Sequence, residues 1–449
     1  MCLKQKSGRE TYFIILSFIV LTAVFALFPV KIFSFYFLFL IFFIAAIFLI
    51  NHKLGFFMIL LVRPLLDTLT GFNALEINRL PFNVSAVLAI AAIIFSTIAY
   101  LKNRAEVCRL PLKTAWLIFL ALAFISIFIS TAPITSFAEW TRILSVFALF
   151  ILGFLVIKKK RDFIQLLSVL AYSVFIPSIL ALYQFITATG MTIPFEGITN
   201  RIYGTFAHPN LLAYYLVFAI TVLGYLVAVK KKYVFQNSFL LAFYGIILAL
   251  TFTRGAWLAL ILVFFIIGAI KYRGFLVIFA LVLLLIYATV EPIQTRVNDL
   301  WKYNPDSSIE WRKSIWKEAL VIGKEKPALG HGAGTASLIL LEKRGPENGS
   351  SDPHNDYLKL FIENGAAGVT SYGILILSLL YFLIKKFRVS QNPSQKDWYL
   401  TLFSLSLAIF ALSFVDNILR NTVLQWASWA VIGGTLSISI NLKNKNKDI

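Results

Sequence analysis

Apolar runs of about twenty residues recur along almost the whole chain, and that repetition limits the fold more than any other feature. A segment inside a bilayer must satisfy its own backbone N–H and C=O groups, so such runs fold as helices. About 20 residues are needed to cross the hydrocarbon. Candidate spans lie at 11–29, 33–50, 54–70, 83–101, 114–130, 140–157, 163–186, 209–229, 237–253, 256–271, 274–290, 364–384, 398–415 and 420–440. The run at 54–70 is the weakest, because Arg63, Pro64 and Asp67 interrupt it. Several others are short, so the expected fold is an all-α polytopic transmembrane bundle of about 12–14 spans. The chain is 59% hydrophobic and only 14% charged, where soluble domains carry roughly 25% charge. No soluble catalytic domain is expected. The expected division is a bundle over 1–290, a large extracytoplasmic loop over 291–363, and C-terminal helices with a tail over 364–449.

The formal net charge of +20 would suggest a nucleic-acid partner in a soluble protein. Here the basic residues crowd alternate loops, among them Lys102, Arg104, Arg109 and Lys113, the run Lys158 to Arg161, Lys230 to Lys232, and Lys385, Lys386 and Arg388. The intervening short loops hold few: Lys31, Arg79, Arg142, Arg201, Arg254 and Arg420. Cytoplasmic loops are the basic ones, so both termini are expected in the cytoplasm and no nucleic acid is expected as a partner. The apolar run after "MCLKQKSGRE" lacks a small-residue cleavage site, which predicts an uncleaved first span. Cys2 and Cys108 form no disulfide framework and fall on predicted cytoplasmic stretches.

Two outer loops are long, 187–208 and 291–363. In the second, "SSIEWRKSIWKEALVIG" opens on the capping-box pattern Ser307-x-x-Glu310. Trp311, Ile315, Trp316, Ala319 and Leu320 then share one helical face. Such a helix can lie at the membrane surface or pack on the outside of the bundle, and the pattern leaves both placements open. "KPALGHGAGTA" follows as a glycine-rich turn. In "SSDPHNDYLKLFIENGAAGV", Asp352 or Ser351 is placed to cap a helix, Pro353 suits its first position, and the helix is expected to run to Asn364-Gly365.

This last stretch gathers unusual polar chemistry for so apolar a chain. His354 falls in the first turn of the expected helix, where the positive end of the dipole favours a neutral ring. A neutral imidazole can take a proton from a hydroxyl. Asp352 and Asp356 are both placed to orient it, and a histidine that only bonds locally is the plainer alternative. Arg254, in "TFTRGAW", and Arg201, in "NRIYGTFAHPN", fall on the same side of the membrane as His354. Their planar forks suit phosphate oxygens, while for either one alone snorkelling to the headgroups is the plainer alternative. Three such groups share a face that the charge bias otherwise empties. Weaker candidates are Arg63, Asp67, Trp140 with Arg142, and Asp416 with Arg420, which are spaced to pair. Gly330 to Gly334 offers backbone N–H groups to a phosphate, but it lacks the Lys-Ser/Thr of a P-loop, and a plain turn is the simpler reading. No Asp-x-Asp pair or His/Cys cluster suggests a metal, and no cofactor is expected.

"PALGHGAGTA" followed by "HNDYLKLFIENGAAGV" resembles the signature of the O-antigen ligase and polymerase superfamily: a Gly-x-Gly turn in a large outer loop, His-Asn-x-aromatic-Leu, then Glu-x-Gly-x-x-Gly entering the next span. "RIYGTFAHPNLLAYYL" and the Thr253-Arg254-Gly255 junction resemble two further marks of that family. The resemblance covers roughly 195–385, and the rest of the chain only by topology. It implies a GT-C-like, metal-independent glycosyltransferase of the bacterial inner membrane with its active site on the periplasmic side. The implied donor is a glycan on polyprenyl diphosphate. The implied acceptor is lipid A–core for a ligase, or another lipid-linked repeat unit for a polymerase. In that frame His354 is the base, Arg201 and Arg254 bind diphosphate, and Asn355, Asp352, Asp356, Glu363 and Tyr357 support them, Tyr357 along the lipid path. A lipid-linked sugar transporter is a rival from another class, but the charges gather at span ends and no inverted repeat is evident.

Overall fold

The computed structural model describes residues 43–44, 46–71, 73–77, 80–193, 198–289, 291–298, 308–345 and 351–445. The first candidate span and most of the second lie outside the described residues, as does Ser307 of the capping box. The longer helices are α1 His52–Val62, α2 Val84–Lys102, α3 Lys113–Phe128, α4 Pro133–Val156, α5 Lys160–Ser173, α6 Phe175–Ile186, α7 Pro209–Val229, α8 Val234–Leu250, α9 Arg254–Ile270 and α10 Arg273–Thr289. They continue with α11 Ser308–Glu325, α12 Ala336–Arg344, α13 Asp356–Val389, α14 Pro393–Leu412 and α15 Thr422–Lys445. Two small antiparallel hairpins occupy loops, β1 Asn73–Ile77 with β2 Leu80–Asn83, and β3 Met191–Ile193 with β4 Ile198–Arg201. The protein is thus an all-α multi-pass membrane protein. Among the described residues six helical segments, counting the α5–α6 pair Lys160–Ile186 as one, are long and apolar enough to cross a bilayer, with four shorter apolar helices beside them.

Helices α4, α15 and α7 form the centre. The apolar window of α15 is 94% buried, against 39% for α2 and for α13. Two glycines set the closest approach: a Cβ on Gly153 would meet Ala430 O at 2.2 Å, and one on Gly433 would meet Phe150 O at 2.1 Å. Lipid tails are as apolar as leucine, so close backbone packing through small residues is what holds such helices together. At the rim, α10 turns Val277, Ile278, Leu281, Leu284 and Leu285 outward.

Three expected elements come out differently. The run at 54–70 is not one span: α1 stops at Val62 and a 3-10 segment covers Arg63–Gly71. Pro64 lacks an N–H and its ring crowds the preceding turn, which ends the α-helix. The run at 163–186 is two helices that meet at Val174 (φ −90°, ψ 3°). Helix α13 begins at Asp356 with Asn355 as its cap, so neither Asp352 nor Ser351 caps it and His354 precedes the helix.

α13 breaks at Gly365 (φ 61°, ψ −163°). The break exposes backbone groups that the glycine-rich turn satisfies. His331 N–H donates to Ile362 O (2.9 Å) and Gly332 N–H to Glu363 O (2.8 Å), while Ala366 and Ala367 N–H donate to Pro327 O (2.8 Å) and Ala328 O (3.1 Å). Helix α11 packs on α13 rather than standing apart from the bundle. Its Ile315, Ala319 and Ile322 form a small core with Ala336, Leu340 and Ile362, while Leu320, expected on that face, is exposed.

Candidate functional site

Arg201 ends β4 and is buried. A buried cation is tolerated only when its donors find acceptors. Its Nε donates to Thr251 O (2.9 Å), and its Nη2 donates to Asn210 Oδ1 (2.9 Å) and Thr253 Oγ1 (3.0 Å). Thr251 to Thr253 is the turn that launches α9, whose first residue is Arg254. Arg201 therefore ties the start of α9 to the start of α7, where Asn210 N–H is capped by His208 Nδ1 (3.1 Å). Arg254 sits at that junction, half-buried.

Asn210 carries the connection onward. Its Nδ2 donates to Asp416 Oδ2 (2.8 Å), and Tyr214 OH, one turn along α7, donates to the same oxygen (2.5 Å). The other oxygen of Asp416 meets His354 Nδ1 at 3.1 Å and accepts the Asn417 N–H at 2.8 Å. Burial alone would push the Asp416 carboxyl up, but the hydrogen bonds from His354, Tyr214 and Asn417 outweigh it and hold it below the usual carboxylate range. A carboxylate there assigns the proton to Nδ1 of His354 and the lone pair to Nε2. Nε2 has no hydrogen-bond partner among the described residues, and the side chain is 30% exposed. The ring is further steadied edge-on by Trp311 of α11, with centroids 5.7 Å apart. A left-handed backbone at His354 (φ 46°) turns it toward Asp416.

One continuous run of hydrogen bonds thus joins Arg201, Asn210, Asp416 and His354, with Arg254 beside its first member. The carboxylate that orients His354 is neither Asp352 nor Asp356. Asp352 Oδ1 accepts the His354 backbone N–H (3.1 Å), and its other oxygen takes Lys359 Nζ and Ser337 Oγ. Burial raises the Asp352 carboxyl, but Lys359 wins and holds it down to about 2. Asp356 is turned away, accepting the Leu419 N–H at 2.9 Å. Asn355 Oδ1 accepts the N–H groups of Tyr357 and Leu358, both at 3.1 Å. Tyr357 donates to Phe410 O (2.9 Å) and lies on Phe414 with centroids 4.3 Å apart.

Asp416 and Arg420 do not pair with each other. The stretch 413–421 is irregular, so a spacing of four puts them on different sides. Arg420 turns to Glu363 (3.1 Å) and Glu139 (3.6 Å), and Arg142 also pairs with Glu139 (2.6 Å). These groups and Lys359 line a void of about 30 Å³ between α3, α4, α13 and α15, room for about one water. Trp140, a candidate to line one cavity with Arg142, is outside this lining and donates to Leu120 O (3.2 Å). Arg63 and Asp67 form a buried pair (3.1 Å), with Arg63 also on Ser85 and Thr422. The N–H groups of His331, Gly332 and Ala333 are all taken by protein oxygens, so the glycine turn is a strut and not a phosphate cradle. Among the described residues no group of three or more His, Cys, Asp or Glu is arranged to hold a metal.

The sequence pattern alone ranked Asp416 low and did not single out Asn210 or Tyr214. The only signal for Asp416 is an acidic residue at the end of a span, and Asn210 and Tyr214 show only as members of the stretch "RIYGTFAHPNLLAYYL".

Residues 239–373 match the sequence model of the family described as O-antigen ligase. The match supports assignment to the O-antigen ligase/polymerase family. It takes in Arg254, the glycine turn, His354 and Glu363, while Arg201, Asn210 and Asp416 lie outside it. No protein with a curated description matches the chain.

Proposed function

We propose, on the premise that residues 239–373 match the O-antigen ligase family, that this protein is an inverting, metal-independent glycosyltransferase. It moves a glycan from a polyprenyl (undecaprenyl) diphosphate carrier to a sugar hydroxyl of lipid A–core, on the periplasmic side of the inner membrane. The observation that carries the reading is the 3.1 Å contact between His354 Nδ1 and Asp416. It leaves Nε2 of a partly exposed ring as a base, with a buried carboxylate to stabilise the imidazolium that forms.

The acceptor O–H bond breaks as its proton passes to His354 Nε2. A bond forms from that oxygen to the anomeric carbon, opposite the leaving group. The bond from the anomeric carbon to the phosphate oxygen breaks, and its electron pair leaves on the diphosphate. Arg254, at the tip of α9, meets that charge. Arg201 supplies further positive potential from behind and fixes the tip. Charge stabilisation of this kind is worth most where water is excluded. Asn355, Asp352, Asp356, Glu363 and Tyr357 hold the frame.

Replacing His354 with alanine is expected to lower transfer about 10²–10⁴-fold while the protein stays in the membrane. Wild-type transfer by that variant overturns the assignment. A gel of lipopolysaccharide from a deletion strain tests the acceptor: loss of every O-chain band is expected, whereas one repeat unit left on the core marks a polymerase.

A further inference from the structure

The end of the bundle away from His354 holds a cavity of about 740 Å³. On α7, Asn210 belongs to the His354 site and Tyr225 lines this cavity, about 22 Å further along at 1.5 Å per residue. The cavity is large enough for a small-molecule site, and nothing in the transfer reaction uses it.

Its chemistry is one-sided. Four consecutive basic residues, Lys158 to Arg161, line it, and among the described residues no acidic residue does. Of the nearby carboxylates, Asp162 is committed to Lys53 and Asp397 to Lys271, while Glu106 pairs with Lys158 of the rim itself, so the rim's one-sided charge rests on Lys159, Lys160 and Arg161. Lys159, Lys160 and Arg161 are exposed. The floor is aromatic and rigid. Trp398 is fully buried and packs against Phe163 and Tyr225, with centroids 5.2 Å and 4.8 Å away. Its indole N–H is already spent on Thr435 (3.0 Å), so the floor offers an apolar surface. Gln395 adds a neutral hydrogen-bonding group at the edge. A basic rim over an apolar floor, at the end of a helix bundle, suits a phosphate head carrying an apolar tail.

We propose that this cavity binds the phosphodiester headgroup of an anionic phospholipid, in the leaflet opposite the one that meets the His354 site. The rim residues hold the phosphate, and the acyl chains follow the aromatic floor out between α5 and α14. The site stands on its own geometry and does not rest on the transfer chemistry.

The test is native mass spectrometry and thermal melting of the purified protein in neutral detergent, titrated with phosphatidylglycerol, phosphatidylcholine or inorganic phosphate. The expected result is retained phosphatidylglycerol with a raised Tm, and neither effect from phosphatidylcholine. The variant K159Q/K160Q/R161Q is expected to weaken phosphatidylglycerol binding at least about tenfold, each basic group contributing near a charged surface. The single variant K160E, expected to weaken it too, keeps the test open should the triple variant fold poorly. The control K385Q/K386Q, at basic residues outside the cavity lining, is expected to bind as wild type. Equal binding by wild type and both rim variants overturns the proposal. So does an equal loss in the control, which marks a diffuse charge effect, or an equal Tm rise from inorganic phosphate, which marks a soluble-anion site.

Discussion

The two ends of this helix bundle handle charge in opposite ways. Around the His354 site the key charged groups are buried and held by fixed partners. Arg201 makes hydrogen bonds to Thr251, Asn210 and Thr253, Asp416 accepts from four donors, and Arg63 is locked to Asp67, Ser85 and Thr422. At the other end they are many and form looser, solvent-facing pairs, such as Lys53 with Asp162 and Lys158 with Glu106. A buried ion must be held in one geometry or it is not tolerated, whereas an exposed lysine contributes only a field. The first arrangement can position reacting atoms. The second can orient the chain in a membrane and attract anions. Substitutions at the two ends should therefore differ sharply in effect.

The largest effect after loss of His354 itself is expected from Asp416→Asn. The amide still offers one oxygen, but it places an NH₂ where a carboxylate oxygen now accepts. Either His354 loses its partner, or Tyr214 and Asn210 face another donor. A fall of about 10²-fold or more in kcat is expected, with KM changed much less. Partial recovery in Asp416→Glu is expected if Asp416 acts by orienting the ring. Equal losses in kcat and folded yield would make it merely structural and erase the contrast between the ends.

Arg201→Lys comes next. One ammonium cannot serve Thr251 O, Asn210 Oδ1 and Thr253 Oγ1 from the fork's positions. At least one buried acceptor is left bare, at a cost of about 1–3 kcal/mol. Thermal melting should show this loss, along with reduced transfer as the tip of α9 loosens. A variant that melts and transfers like wild type would mean that Arg201 is no better fixed than a surface lysine.

What the sequence makes legible follows the same divide. Spans, the basic rim and the His354 stretch are local patterns, so hydropathy, charge bias and residue spacing reveal them. The partner of His354 is not local: Asp416 lies 62 positions away and sits in an irregular turn, where no periodicity assigns a face. Asp352 and Asp356 are nearer along the chain and looked better placed. The left-handed backbone at His354, just before α13, turns the ring toward Asp416 instead. The split of 163–186 at Val174 was hidden because a bent pair of helices and one straight helix share the same hydropathy.

Gly365→Ala probes the frame under the site rather than its charges. At φ 61° and ψ −163° an alanine is strained, and its Cβ would meet Ala328 C and O at 2.4 Å. Backbone strain of this kind costs about 1–3 kcal/mol, and the glycine turn must shift to relieve the contact. A lowered Tm is expected. An unchanged Tm would show that the break in α13 is soft, and that the His354 end is less rigid than its hydrogen bonds imply.

The smallest effect is expected at the opposite end, from Lys53→Gln. α1 carries a cation near each of its ends, Lys53 at the basic rim and Arg63 just beyond its last residue in the buried network. The Lys53 side chain is 36% exposed, and exposed pairs are worth about 0–1 kcal/mol. Its partner does not depend on it. Asp162 sits in the first turn of α5, where its other oxygen accepts the Lys159 N–H at 3.2 Å, and a helix start favours a carboxylate. Removing Lys53 thus strands no charge, and Asp162 stays satisfied by α5. A double-mutant cycle of Lys53→Gln with Asp162→Asn, read by thermal melting, should give a coupling below about 1 kcal/mol, shrinking further in high salt. A coupling of several kcal/mol, insensitive to salt, would mean that the rim is built as tightly as the His354 end.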